Sequence, residues 1–264
     1  MSHNPITKLF LSSMILLVIL ACNALAPVAT ATAIPSPVPP TATSAPLLSQ
    51  HLTINGRTAE ETNQTPPFRI TAETPELTGS DDPRLTIFNQ RLSDLVKKEV
   101  DSWRQSFLQN SMPDLSGGST LDATYTLVSQ IGDLWSFKFD FNFYSAGAAH
   151  PGLYSITLNY DLAQGKELGL ADLFLPNANY LETISQYCIT VLSKQPGFEG
   201  PFADGAQPTP QNYRNWNITP DGLLITFDTY QVMPGAAGPQ QVLVPYVQLR
   251  GLINPQGVLA NFAQ

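Results

Sequence analysis

The sequence predicts an α+β fold: an antiparallel sheet packed against two main helices, preceded by a signal peptide and a disordered tether. Three observations predict it. Residues 83–107 place apolar side chains at three- and four-residue spacing, and residues 121–160 then switch to alternation with a period of two. After that, strand and helix patterns are interspersed without the regular strand–helix–strand order of a parallel sheet.

The chain opens with MSHNPITKLFLSSMILLVILA, residues 1–21, in which Lys8 precedes a short apolar run. That is the layout of an export signal, too short and too early for a typical membrane span. It ends in Ile19-Leu20-Ala21-Cys22, which resembles the bacterial lipobox, so Cys22 is the expected lipidation site and new N-terminus. Secretory cleavage near Ala24-Leu25-Ala26 and a retained signal anchor are the alternatives. Residues 22–50 carry no charge and are rich in Pro, Ala, Thr and Ser. Such a stretch buries too little apolar area to offset its ordering entropy, and it reads as a tether holding a folded domain off the membrane. These features predict an extracytoplasmic, lipid-anchored protein of the cell envelope.

In the folded part, FRITAET reads as a short strand. Asp81 or Asp82 can cap a helix with Pro83 in its first turn, and Leu85, Phe88, Leu92, Leu95, Val96, Val100, Trp103 and Phe107 supply its apolar stripe. The run SMPDLSGGS ends it. Leu121, Ala123, Tyr125 and Leu127 begin the alternation. LWSFKFDFNFY then puts Trp135, Phe137, Phe139, Phe141 and Phe143 on one side, and LYSITLNYDL puts Tyr154, Ile156, Leu158 and Tyr160 on one face. The opposite face, with Ser136, Lys138, Asp140 and Asn142, is expected to be wet. A turn at 161–166 with Gly165 leads to a helix over 177–194, where Tyr180, Ile184, Tyr187, Cys188, Val191 and Leu192 mark one side. A Pro/Gly-rich loop (195–212) precedes strand, turn (Pro220-Asp221-Gly222), strand, loop and strand, with a short C-terminal helix. The organisation is thus an N-terminal α+β portion, 51–130, and a C-terminal portion, 131–264. They are expected to share one fold, because the first helix needs the later sheet to cover its apolar stripe.

The formal charge of −8 disfavours nucleic acid and anionic lipid, which need Lys and Arg, and favours a basic partner; mild acidity also simply keeps an exported protein soluble. With Cys22 consumed by lipid, Cys188 has no partner and is expected to be a small buried hydrophobe.

Chemistry centres on SAGAAHPG, residues 145–152. A zinc site needs three or four clustered ligands. Of the histidines, His3 leaves with the signal and His51 borders the tether, so His150 stands alone and no metal or cofactor is expected. Ser145 and Ser155 lie near in sequence without a G-x-S-x-G elbow, and Asp140 and Asp161 could flank the turn. The expectation is a shaped turn in which Gly147 and Gly152 permit tight backbone, Pro151 fixes it and His150 makes a local hydrogen bond. A second loop, Met233-Pro234-Gly235-Ala236-Ala237-Gly238-Pro239, has the same character. Gly147, His150, Pro151, Gly235 and Gly238 are the candidate ligand-contact positions, and no catalytic residue is assigned.

The ordered series SAGAAHPG, TLNYDLAQGKELGLADLF and ITPDGLLITFDTYQVMPGAAGPQQVLVPYVQL resembles the extracytoplasmic domain of RsiV anti-sigma factors, domain of unknown function 3298. Residues 67–130 are more loosely similar to the partner domain found upstream of it. The resemblance covers most of residues 67–250. It implies a binding module, which in RsiV senses lysozyme and in some peptidoglycan deacetylases precedes a catalytic domain. Here it implies a module kept alone on a lipid anchor. The expected function is therefore non-enzymatic binding or sensing of a basic secreted protein such as lysozyme, or of a wall glycan. The alternatives are a wall-acting hydrolase using sheet carboxylates near His150, and an envelope scaffold.

Overall fold

Strand formation begins earlier in the chain than FRITAET suggests. A computed structural model describes residues 48–109, 118–198 and 200–263, so the signal segment and Cys22 lie outside the described residues. Strand β1 (Thr53–Gln64) pairs antiparallel along its whole length with β2 (Pro67–Thr78), with a cis Thr65–Pro66 peptide in the turn. β1 escaped the sequence reading because its residues are nearly all polar and exposed, leaving no alternation to detect. The last residues of the expected tether also belong to the fold. Residues 48–51 form a 3₁₀ turn in which Ser49 is buried, and its N–H and Oγ both donate to Asp133 Oδ1 (2.8 and 2.6 Å). Trp135 Nε1 donates to the same Ser49 Oγ at 2.9 Å.

Helix α1 (Pro83–Gln109) starts where Asp82 accepts the Arg84 N–H at 2.9 Å, with Pro83 at its first position. Leu85, Phe88, Leu92, Leu95, Val96 and Phe107 are buried, and Val100 and Trp103 are half-buried at the edge of the same stripe. The helix connects β2 to β3 (Ser119–Ile131), and those two strands run parallel, Phe68 facing Ser119 in register. The sheet is therefore mixed, with one parallel pair where an all-antiparallel sheet was expected. A crossover helix between two strands can return the chain to the starting end, which a hairpin cannot.

Strands β4 (Leu134–Tyr144), β5 (Gly152–Asp161) and the short β6 (Lys166–Glu167) complete a six-stranded sheet in simple sequence order. Its aromatic face meets α1. Phe88 stacks on Tyr160 (centroids 4.3 Å) and meets Phe137 edge-on (6.1 Å), and Trp103 stacks on Phe143 (4.2 Å). Each fully buried Phe or Leu in that layer contributes about 1.5–3 kcal/mol relative to exposure.

The remaining chain builds a second layer. Helix α2 (Tyr180–Leu192) buries Ile184, Cys188 and Leu192 against a three-stranded antiparallel sheet, β7 (Trp216–Ile218), β8 (Gly222–Phe227) and β9 (Gln240–Pro245), followed by α3 (Tyr246–Leu249). Strand β7 lies over β3, β4 and β5. This corrects the expectation of a wet face for all but Asn142, which is exposed: Ser136 is 1% exposed and Asn159 2%, and Lys138 and Asp140 are only partly exposed. Polar residues alternate there because the two sheets meet through a hydrogen-bonded layer. Ser136 Oγ donates to Asn159 Oδ1 (2.6 Å) and accepts from Asn217 Nδ2 (2.9 Å), while Asn159 Nδ2 donates to the Trp216 carbonyl (2.8 Å). The α+β class stands, with each face of the main sheet covered by a different layer.

Candidate functional site

Two loops meet at one end of the main sheet. The first joins β4 to β5. Ala148 N–H donates to the Ser145 carbonyl at 2.9 Å, and Gly147, the third residue of that turn, has φ 87°, which only glycine adopts freely. Ala146 N–H donates to Ser119 Oγ at 3.0 Å, pinning the turn to β3. A side chain at Gly152 would put its Cβ 2.2 Å from the Phe143 ring, so a larger residue there would have to displace that ring.

The second loop joins β8 to β9 and begins with the same device. Gln231 N–H donates to the Asp228 carbonyl at 2.9 Å, and the third residue again has positive φ, but it is Tyr230, at 69°. A bulky side chain in that region is strained by roughly 1–2 kcal/mol. The turn is held by its surroundings: Gln231 Nε2 donates to the carbonyls of Gly205 and Asn212, both at 2.9 Å. Tyr230 is 56% exposed, and its ring lies so close to Gly235 that a Cβ there would stand 2.1 Å from it. An exposed aromatic held in an uncommon backbone conformation is the kind of outlier that collects at ligand sites.

Between the loops lies a cavity of about 880 Å³, within the size range of ligand pockets. The hairpin side contributes Phe143, His150, Pro151 and Tyr154; the facing wall contributes Tyr230, Gly235, Gly238 and Pro239. Four of the five candidate contact positions thus line one space. Gly147 shapes the turn without lining the cavity. His150 Nδ1 lies 2.9 Å from the Pro151 carbonyl and donates to it, since a carbonyl only accepts. That leaves Nε2 facing the Tyr230 hydroxyl at 3.4 Å, a long contact that bridges the two loops.

Asp228 forms the polar corner. Its Oδ1 accepts the Ser155 N–H at 3.0 Å and its Oδ2 pairs with Arg214, while Asn215 Nδ2 stands 3.4 Å from each oxygen. Tyr154 closes the far side: its hydroxyl donates to Glu99 Oε2 (2.8 Å) and accepts from Trp103 Nε1 (3.0 Å), and burial pushes its ionisation well above the usual phenol range. Asp140 and Asp161 do not flank the turn together. Asp140 faces Ser155 in register, whereas Asp161 pairs with Leu134 at the opposite end of the hairpin. Ser155 is buried and its Oγ donates to Asp140 Oδ1 at 2.6 Å, away from His150. Among the described residues no three His, Cys, Asp or Glu side chains are grouped to hold a metal ion. The arrangement can enclose an apolar body and present one carboxylate to it.

Sequence reasoning singled out the glycines and His150 but not Asp228, Tyr230 or Asn142, which also line the cavity. The signal for the first two was present: Phe227-Asp228 and Tyr230 stand inside the closing motif that carried the family resemblance.

Residues 171–247 match the model of a family described as "Protein of unknown function (DUF3298)". The chain is 34% identical over 101 residues, 38% of its length, to the immunogenic protein MPT64 of Mycobacterium tuberculosis, covering 44% of that protein. It is 30% identical over 103 residues, 39% of its length, to an esterase of the same organism, covering 45%. Over 168 residues, 62% of its length, it is 25% identical to the peptidoglycan-N-acetylmuramic acid deacetylase PdaC of Bacillus subtilis, covering 36%. The chain thus spans less than half the length of each of these relatives. Among solved structures, a DUF3298 family member from Bacteroides fragilis superposes with a TM-score of 0.59 at 16% identity, over 80% of this chain and 97% of the other. A second, from Pseudomonas aeruginosa PAO1, gives 0.55 at 18% identity, over 77% of this chain and 95% of the other. At these identities the likeness is one of fold.

Proposed function

We propose that this protein is a non-enzymatic binding or sensing module of the cell envelope, anchored extracytoplasmically by lipid on Cys22, and that its ligand enters the cavity between the 145–152 and 233–239 loops. One observation carries the reading: His150 and Pro151 from one loop, and Gly235 and Gly238 from a second loop far along the sequence, line a single cavity of about 880 Å³ with Tyr230 held exposed above it. The match over residues 171–247 to a DUF3298 model and the likeness to two solved members support an extracytoplasmic module. The finer likeness to RsiV, the partner-domain character of residues 67–130 and the lipobox reading belong to this proposal. A basic secreted protein such as lysozyme is the first ligand to test, given the net charge of −8, and wall glycan the second.

The test is calorimetric titration of the full chain with lysozyme at low and moderate salt, alongside Tyr230→Ala. Binding of micromolar strength or tighter that weakens at least about tenfold in the variant supports the reading. Heat that is unchanged by the variant moves the site elsewhere, and no heat sends the search to wall glycans. Two of the similar proteins are named as a deacetylase and an esterase, which favours a hydrolase as the second reading. Turnover of an aryl acetate that disappears in His150→Ala would establish it in place of the first.

A further inference from the structure

The cavity is unbalanced in charge. Among the described residues, Asp228 is the only carboxylate in its lining, and no lysine or arginine lines it. The paired Arg214 approaches Asp228 from outside the lining, and its side chain is 55% exposed against 11% for the carboxylate. The cation's field is therefore screened by solvent while the anion's reaches the cavity through protein. Three aromatic side chains, Phe143, Tyr154 and Tyr230, share the lining with Asp228. Ring faces are electron-rich and attract cations, by about 0.5–2 kcal/mol per contact depending on desolvation. Behind one of them stands a second carboxylate, Glu99, which accepts the Tyr154 hydroxyl. Besides Asn142, His150 and Thr229, the rest of the wall is Pro, Gly, Ala and Leu, which suits a methylene stem.

The geometry points to a basic side chain, lysine or arginine, of a protein partner as the group that enters this cavity, its stem along the apolar walls and its cation between the rings and Asp228. The inference rests on the reading of the cavity as the binding site and names the chemistry of what it takes. An added peptide strand is the other way a protein could use the edge of β5. Asp228 Oδ1 already holds the Ser155 N–H on that edge, so a side chain is accommodated where a main chain is not. A neutral sugar ring or acyl chain would make no use of the negative field that Asp228 and the ring faces set up in the cavity.

The experiment titrates the full chain with Nα-acetyl-L-lysine methylamide and, separately, with its neutral Nε-acetyl derivative, following backbone amide shifts by NMR. The lysine probe is expected to shift Tyr230 and Gly235 at millimolar concentration, and the neutral probe to bind at least about tenfold more weakly. Asp228→Asn keeps an oxygen to accept the Ser155 N–H and is expected to cost the lysine probe about tenfold or more. Tyr230→Ala, at an exposed position, is expected to weaken it as well. Equal affinity for the two probes, unaltered affinity in Asp228→Asn, or no shift from either probe at about 10 mM overturns the inference. If the neutral probe alone moves those amides, the cavity remains the binding site and the basic side chain is wrong. If lysozyme and wall fragments also leave them unmoved, the cavity reading falls too.

Discussion

The main-chain N–H of Ser155 donates to Asp228 Oδ1 at 3.0 Å across 73 residues of sequence. A side chain at the end of β8 thereby takes the place of a neighbouring strand's carbonyl on the outer edge of β5. Edges left open invite pairing with other chains, and an orphaned buried N–H is costly. The same carboxylate closes the cavity, so one residue joins the two layers and shapes the site.

Replacing that acceptor tests the link. Asp228→Ala leaves the Ser155 N–H unpaired and is expected to destabilise by about 1–3 kcal/mol in urea unfolding. Asp228→Asn, which keeps an oxygen, should cost less. Arg214→Ala should cost under about 1 kcal/mol, because the arginine is more than half exposed. Equal losses for Ala and Asn at position 228 would contradict the edge-closing role.

The layer between the sheets makes a second prediction. Asn217, fully buried, donates from Nδ2 to Ser136 Oγ and to the Phe137 carbonyl, both at 2.9 Å. Asn217→Ala leaves the Phe137 carbonyl without this partner and should cost about 1–3 kcal/mol. Combined with Ser136→Ala, the losses should fail to add by about 0.5 kcal/mol or more, since both residues serve one network. Simple additivity in denaturant titrations would show that the layer is a set of independent bonds.

Cys188 should be chemically silent. It lies on the buried face of α2, and burial pushes its thiol up to about 12. The reactive thiolate is then scarce at neutral pH, and access is closed as well. Iodoacetamide should label it only after denaturation. Rapid labelling of the folded protein would mean that this core opens readily.

Acid should remove one helix contact. The Arg84 guanidinium, and after it the Arg84 main-chain N–H, hold the Asp82 carboxyl down at about 2. A carboxylate with a depressed folded pKa stabilises above its unfolded value of about 3.9, and that contribution is lost as pH falls through about 2. Asp82→Asn, which can still cap, should therefore lower the thermal midpoint at pH 6 and converge on the unaltered protein near pH 1.5. A gap that persists at that pH would place the effect in the cap's shape rather than its charge.

How far the sequence could be read follows from what each pattern encodes. The α1 stripe and the Trp135–Phe143 alternation were legible because each buries a single apolar face, which is what periodicity reports. Ser136, Lys138 and Asp140 were misjudged as wet because alternation cannot distinguish a solvated face from one covered through hydrogen bonds. Strand β1 was missed for the related reason that an exposed edge strand of polar residues has no contrast between its faces. At the site, Gly147 and Gly238, both with positive φ, were visible, since glycine advertises unusual backbone. Tyr230 occupies the same kind of backbone, φ 69°, without being glycine, and nothing in its residue type signals it. The pairing of Asp228 with Ser155 joins segments whose adjacency depends on how the two sheets stack, which local sequence does not specify.

The most direct test of the account is amide hydrogen exchange on the full chain, alone and with lysozyme or soluble wall fragments added in turn. One of these ligands is expected to slow exchange in residues 145–155 and 228–239 and to leave the exposed strand β1 unchanged. Protection centred on β1 or α1, with both loops unaffected by every ligand, would contradict it.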